Sequence, residues 1–159
     1  MKAWCDCHGL TSFPLLNTSA GTDFSAAWGN CSSLTSFPLL NTSAGMYFND
    51  SWSGCRGLKS FPLLNFARME KAERCFSGVT LTSDSYDELL ANIAGLNKVS
   101  NVEFDGGLSK AQGLIGIQAR EKLIQKLGWQ MIDGDSPKPV PSNARPVEIQ
   151  QQPEAANNF

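Results

Sequence analysis

Apolar and polar positions repeat along the first half of the chain with a period of 24 residues. "LTSFPLLNTSAG" stands at residues 10–21 and again, unchanged, at 34–45. Trp4, Trp28 and Trp52 keep the spacing, as do Cys7, Cys31 and Cys55, then Leu10, Leu34 and Leu58, and then Asn17, Asn41 and Asn65. A third, less exact copy is therefore readable. Periods of 20 to 50 residues signal units that cannot bury their own apolar edge and stack on their neighbours.

Within each copy, Phe24, Ala27, Trp28 and Cys31 fall at i, i+3, i+4 and i+7, the spacing of one face of a short helix; Phe48, Ser51, Trp52 and Cys55 repeat it. Leu34 to Phe37 reads as a brief strand closed by Pro38, which has no N–H to give to a ladder. Asn41 to Gly45 is a turn cluster of short polar side chains and glycine. Leu34 and Phe37 lie three apart, a spacing that a flat strand does not place on one face. Which of Thr35, Ser36 and Pro38 meets solvent is left open. The expected fold is an α/β solenoid of three coils of about 24 residues, each strand, turn, short helix.

The columns form the pattern W-x-x-C-x-x-L-x-S-F-P-x-L-N-x-x-x-x-x-x-F. It resembles the BspA-like leucine-rich repeats of bacterial surface proteins, above all the variants encoded by bacteriophages, over residues 4–80. The segment that follows, with its S-Y-x-x-L-L, its A-R-x-x-L-I and its final G-W-x-x-x-D-G, resembles the element that closes such arrays. The resemblance implies a curved solenoid used for recognition or virion structure, and no shared enzymatic activity.

Three regions follow: repeats over 1–80, a two-helix capping segment over 81–135, and an extended Pro-rich tail over 136–159. In the second, Tyr86, Leu89, Leu90, Ile93 and Leu96 lie at helical spacing behind a capping box of Ser85 and Glu88, with Ser83 as a competing start. "NVEF" is a strand candidate ended by Gly106 and Gly107. A helix over 110–127 is expected to bury Leu114, Ile117, Ile124 and Leu127, and Trp129 and Met131 alternate with Gln130 in a last short strand. The tail holds five of the eight prolines and too few large apolar residues to build a core. At the other end, Trp4 and Cys7 are already in register, so the first copy presents an uncovered edge. A truncated reading frame, self-association and covering by a different chain compete as explanations; exposed edges tend to be paired or blunted, which favours the last.

A net charge of −2 and a pI near 5.3 give no electrostatic case for nucleic acid. Over residues 1–65, Lys2, Arg56 and Lys59 balance Asp6, Asp23 and Asp50. The repeats offer Ser, Thr and Asn instead, groups that hydrogen-bond sugars or polar protein surfaces, or that simply make turns. Neither an apolar signal segment nor a stretch of membrane-spanning length is visible. Without a secretory route the two "NTS" triplets are idle as glycosylation acceptors.

Chemistry is sparse. Cys5, Cys7 and His8 lack the second paired cluster of a structural zinc site, whereas Cys7, Cys31 and Cys55 read as one column of small buried hydrophobes with free thiols. His8 is the single histidine, too close to Asp6 and Cys7 for a relay. Asp84, Asp87 and Glu88 favour a helix start, and Asp133-Gly134-Asp135 falls short of a calcium loop. The expectation is a non-enzymatic protein without cofactor or metal.

Its contact surface is expected at Thr11, Ser12, Thr35, Ser36, Lys59 and Ser60. Its expected role is that of a tail- or fibre-associated virion component, made in the host cytoplasm, which engages a host glycan or protein or other virion subunits. Self-association through the N-terminal edge and the tail belongs to the same expectation; nucleic acid and membrane insertion do not. The competing reading is a cytoplasmic protein–protein interaction module outside any particle.

Overall fold

The computed structural model of the protein describes residues 2–137, so the tail expected over 136–159 lies, but for its first two residues, outside the described residues. The regular elements are α1 (Ser83–Leu96), β1 (Glu103–Asp105), α2 (Leu114–Leu127) and β2 (Gln130–Ile132). β1 and β2 form one small open parallel sheet, with Phe104 opposite Met131. This overturns the expected α/β solenoid of three strand, turn, helix coils: no helix and no strand lies in residues 2–82.

The hydrogen bonds give the reason. From Phe24 to Asn30, alternate backbone N–H groups leave their own segment: Phe24 donates to Tyr47 (2.8 Å), Ala26 to Asn49 (2.8 Å), Trp28 to Ser51 (3.0 Å) and Asn30 to Ser53 (2.6 Å). Ala27 and Cys31 close tight turns on the carbonyls of Phe24 and Trp28, three residues back. An α-helix needs every N–H directed four residues back along its own segment. Ala26 (φ 52°) and Asn30 (φ 60°) also sit in the left-handed region, which ends any helical run. The kinks recur at Asp50, Gly54, Arg74 and Gly78. A series of three-residue turns thus puts Phe24, Ala27, Trp28 and Cys31 in the core with the spacing of a helix face.

The run Leu34 to Phe37 is likewise no strand. Leu34, Phe37 and Leu40 are all buried, a period of three that a strand's period of two does not produce. Thr35 and Ser36 face solvent and Pro38 is half-buried. Strand-type pairing of residues 2–82 is confined, among the described residues, to isolated parallel bridges, Asp23 with Tyr47, Tyr47 with Lys71 and Ala72 with Phe104.

Side-chain columns supply the cohesion. Trp4, Trp28, Trp52 and Phe76 stack face to face with centroids 5.8, 5.3 and 5.3 Å apart. Phe13, Phe37 and Phe61 stack at 5.8 and 5.6 Å and turn their edges to the first column, Phe37 lying 4.9 Å from Trp28. Offset and edge-on pairs of this kind contribute about 0.5–1.5 kcal/mol each beyond the area they bury. Trp28 and Trp52 bury their indole N–H groups without a hydrogen-bond partner, a cost these columns offset.

The second half is built differently. Thr82, not Ser85 or Ser83, caps α1: its side chain accepts the Ser85 N–H at 3.4 Å. The Ser85 hydroxyl accepts the Phe61 N–H instead (3.0 Å), and Asn97 at the far end donates to Phe66 and Met69 carbonyls, so α1 is fastened to the repeats at both ends. Its inner face holds Tyr86, Leu89, Leu90 and Ile93, while Leu96 is exposed.

α2 departs further from the pattern. It starts at Leu114 rather than near 110, because the Asp87 carboxylate on α1 accepts the Gln112 and Gly113 N–H groups (3.1 and 2.6 Å) and supplies a cap from outside the helix. Gly116, Ala119 and Leu123 face inward, and a Cβ at Gly116 would run into Asp87. The small residue sets the face. Leu114 and Ile117, expected inside, are 69% and 40% exposed, and Ile124 and Leu127 are half-buried.

A candidate binding face

Six residues expected to make contacts come together on one side of the repeats. Thr11, Ser12, Thr35, Ser36, Lys59 and Ser60 are all exposed. A backbone bond between copies ties two of them, the Thr35 N–H donating to the Thr11 carbonyl at 3.0 Å, and the Lys59 carbonyl accepts the Thr82 N–H at 2.8 Å. The Thr35 hydroxyl is spent on the same Thr11 carbonyl (3.2 Å), and the Lys59 ammonium reaches back to the Arg56 carbonyl at 3.4 Å. Among the described residues, the hydroxyls of Ser12, Ser36 and Ser60 and of Thr11 make no hydrogen bond within the chain.

A second row went unforeseen. Leu15, Leu39 and Leu63 are 74, 64 and 47% exposed, one step beyond the prolines of the repeated "FPLL". Their neighbours Leu40 and Leu64 are buried. The doublet at 24-residue spacing was the available signal: with Phe37 and Leu40 inward three apart, one leucine of each pair has to point out. The exposed Ser/Thr row is uncharged apart from Lys59, and the same repeats expose these three leucines.

The Asn-Thr-Ser triplets do structural work. Asn17 and Asn41 accept from the N–H and hydroxyl of Ser19 and Ser43 within the same turn. Thr18 and Thr42 donate to the Asn41 and Asn65 carbonyls of the next copy, both at 2.7 Å. These residues bind copy to copy.

Several titratable groups outside that face are engaged in the fold. Cys31 and Cys55 are buried and donate to the Trp4 and Trp28 carbonyls at 3.1 Å, while Cys7, their partner in register, is exposed. Burial pushes the Cys55 thiol up to about 12, which keeps it protonated and unreactive. All five cysteines are free, and among the described residues no three Cys, His, Asp or Glu side chains converge on a metal position.

Asp133, weighed as half of a calcium turn, is buried. It takes a bidentate bond from Arg120 (both 2.9 Å), the Tyr86 hydroxyl (2.8 Å) and the Asp135 N–H. Burial raises its carboxyl, but the Arg120 and Tyr86 bonds outweigh it and leave the value lowered. Tyr86, desolvated and facing that carboxylate, is held well above the ordinary tyrosine range. Asp135 accepts the Ala111 N–H. Asp133 therefore ties the end of β2 to both helices, and Asp135 ties the following turn to the segment ahead of α2. No helix among the described residues is long and apolar enough to cross a membrane. Comparison with family models, curated proteins and solved structures gave no match.

Proposed function

We propose that the protein is a non-enzymatic binding or structural component that contacts its partner through the face of Thr11, Thr35 and Lys59, the serines after them, and the leucine row beside them. The observation that carries this is the row of exposed polar side chains, of which the hydroxyls of Thr11, Ser12, Ser36 and Ser60 make no hydrogen bond among the described residues, together with three exposed leucines of the same repeats. The neighbouring Asn-Thr-Ser positions of the same repeat are consumed by turns and copy-to-copy bonds. The partner is polar and uncharged, a glycan or a protein surface rich in hydroxyls and amides, since the face carries a single charge.

The resemblance of the repeat motif to those of phage-encoded surface proteins suggests the setting: a tail- or fibre-associated virion component that meets the host surface or other virion subunits. The test is adsorption. Labelled protein is applied to host cells and to purified particles, alongside a Thr11→Ala/Thr35→Ala/Lys59→Ala variant. Binding that falls at least about tenfold in the variant, with an unchanged thermal midpoint, supports the reading. Equal binding by both proteins contradicts the assigned face, and binding to neither target contradicts the virion role.

A further inference from the structure

A cavity of about 280 Å³ opens between Trp4 and Phe24, with Gly21, Asp23, Ala20 and Ala27 in its wall. Twenty-four residues on, the same positions are Trp28, Phe48, Gly45, Tyr47, Ala44 and Ser51. There Trp28, Phe48 and Gly45 flank a phenyl ring, that of Phe24 itself. It stacks on Trp28 at 5.9 Å and on Phe48 at 5.3 Å, and its Cε2 lies 3.0 Å from the place of a Gly45 Cβ. Its carbonyl accepts the Ser51 hydroxyl at 2.9 Å.

The backbone repeats in the same way. The Phe24 N–H donates to the Tyr47 carbonyl and the Thr22 carbonyl accepts the Met46 N–H, both at 2.8 Å, around the parallel bridge of Asp23 with Tyr47. One period earlier the corresponding groups are the Asp23 carbonyl and the Thr22 N–H. Among the described residues neither has a hydrogen-bond partner. A cavity with room for a phenyl ring thus stands beside an acceptor and a donor unpaired among the described residues, in the arrangement that holds Phe24.

We propose that this cavity receives the aromatic side chain of an extended peptide segment from a partner protein. The ring enters between Trp4 and Phe24, while the peptide N–H donates to the Asp23 carbonyl and a peptide carbonyl accepts the Thr22 N–H. This is recognition by strand addition: main-chain bonds give affinity and one pocket gives the preference for an aromatic residue. The proposal rests on the reading of the chain as a binding protein, but it uses a different surface.

The probe is the capped nonapeptide SAGTDFSAA, the chain's own residues 19–27, and its phenylalanine-to-alanine counterpart. Each is titrated into the full-length protein while the Thr22 amide and Trp4 indole resonances are followed. The first peptide is expected to shift both signals saturably, the alanine peptide to bind at least about tenfold more weakly, and Ala20→Trp, at an exposed wall position, to abolish the shift without changing the thermal midpoint. Equal shifts from both peptides, none from either, or full binding by Ala20→Trp would overturn the proposal. So would a concentration-dependent dimer broken by Ala20→Trp without peptide binding, because the occupant would then be a second copy. A Thr11→Ala/Thr35→Ala/Lys59→Ala variant keeps the peptide shift, so the two surfaces fail separately.

Discussion

Residues 4–81 and residues 82–137 reach a buried core by opposite means. The first segment has no regular element: its carbonyls and N–H groups pair across copies, and aromatic columns close the interior. In the second, two helices pack on each other and on a two-stranded sheet, and carboxylates do the tying, Asp87 at the start of α2 and Asp133 between Arg120 and Tyr86. A repeated sequence can hold a chain by making each copy the template of the next. A unique sequence needs specific pairs.

The comparison predicts where each half breaks. Trp52→Ala is the most damaging change: the ring is fully buried and touches both columns, and truncation costs about 3–5 kcal/mol in denaturant unfolding. Asp133→Asn strands the Arg120 guanidinium against a neutral amide and costs about 3 kcal/mol by the same assay.

Its pH dependence has a definite sign. The carboxyl is lower in the folded protein than in the unfolded chain, so its contribution is whole above the ordinary carboxylate range and fades as acid titrates it toward the folded value. The slope of stability against pH below about 4 is therefore shallower in Asp133→Asn than in the parent. Asp105 makes the contrast. Burial raises its carboxyl against the opposing Gly107 N–H, so Asp105→Asn keeps the acceptor, removes a buried charge and costs less than Asp133→Asn.

Smaller effects sharpen the account of the repeats. Gly54 has φ +77° and faces Asn30, so Gly54→Ala costs about 1–2 kcal/mol through backbone strain and the clash. Arg74 and Asp50 form a bidentate pair at 2.7 and 2.8 Å, but the arginine side chain is 64% exposed, and Arg74→Ala leaves the thermal midpoint within error.

Much of this is visible in the sequence, for reasons that can be named. The 24-residue period puts Trp28 on Trp52 and Phe37 on Phe61 because identical side chains at a fixed step make columns. The spacing of Phe24, Ala27, Trp28 and Cys31 misleads, since a chain of three-residue turns buries the same positions as a helix; only the left-handed residues distinguish them. Ala26 and Arg74 give no hint of that conformation, having none of the glycine or asparagine character that normally marks it. The exposed row of Thr11, Thr35 and Lys59 is legible as a column. Leu15, Leu39 and Leu63 are less so, because leucine is among the residues most often buried. On α2, the outward turn of Leu114 and Ile117 follows from the contact of Gly116 with Asp87, a tertiary pairing that no local period records.

Amide hydrogen exchange across residues 24–31 tests the copy-to-copy construction most directly. The account predicts slow exchange at Phe24, Ala26, Trp28 and Asn30, whose N–H groups bond to residues 47–53, and loss of that protection, ahead of α1, when Trp52→Ala opens the column. Protection that instead survives in Trp52→Ala, as helical bonds internal to residues 24–31 would allow, would contradict it.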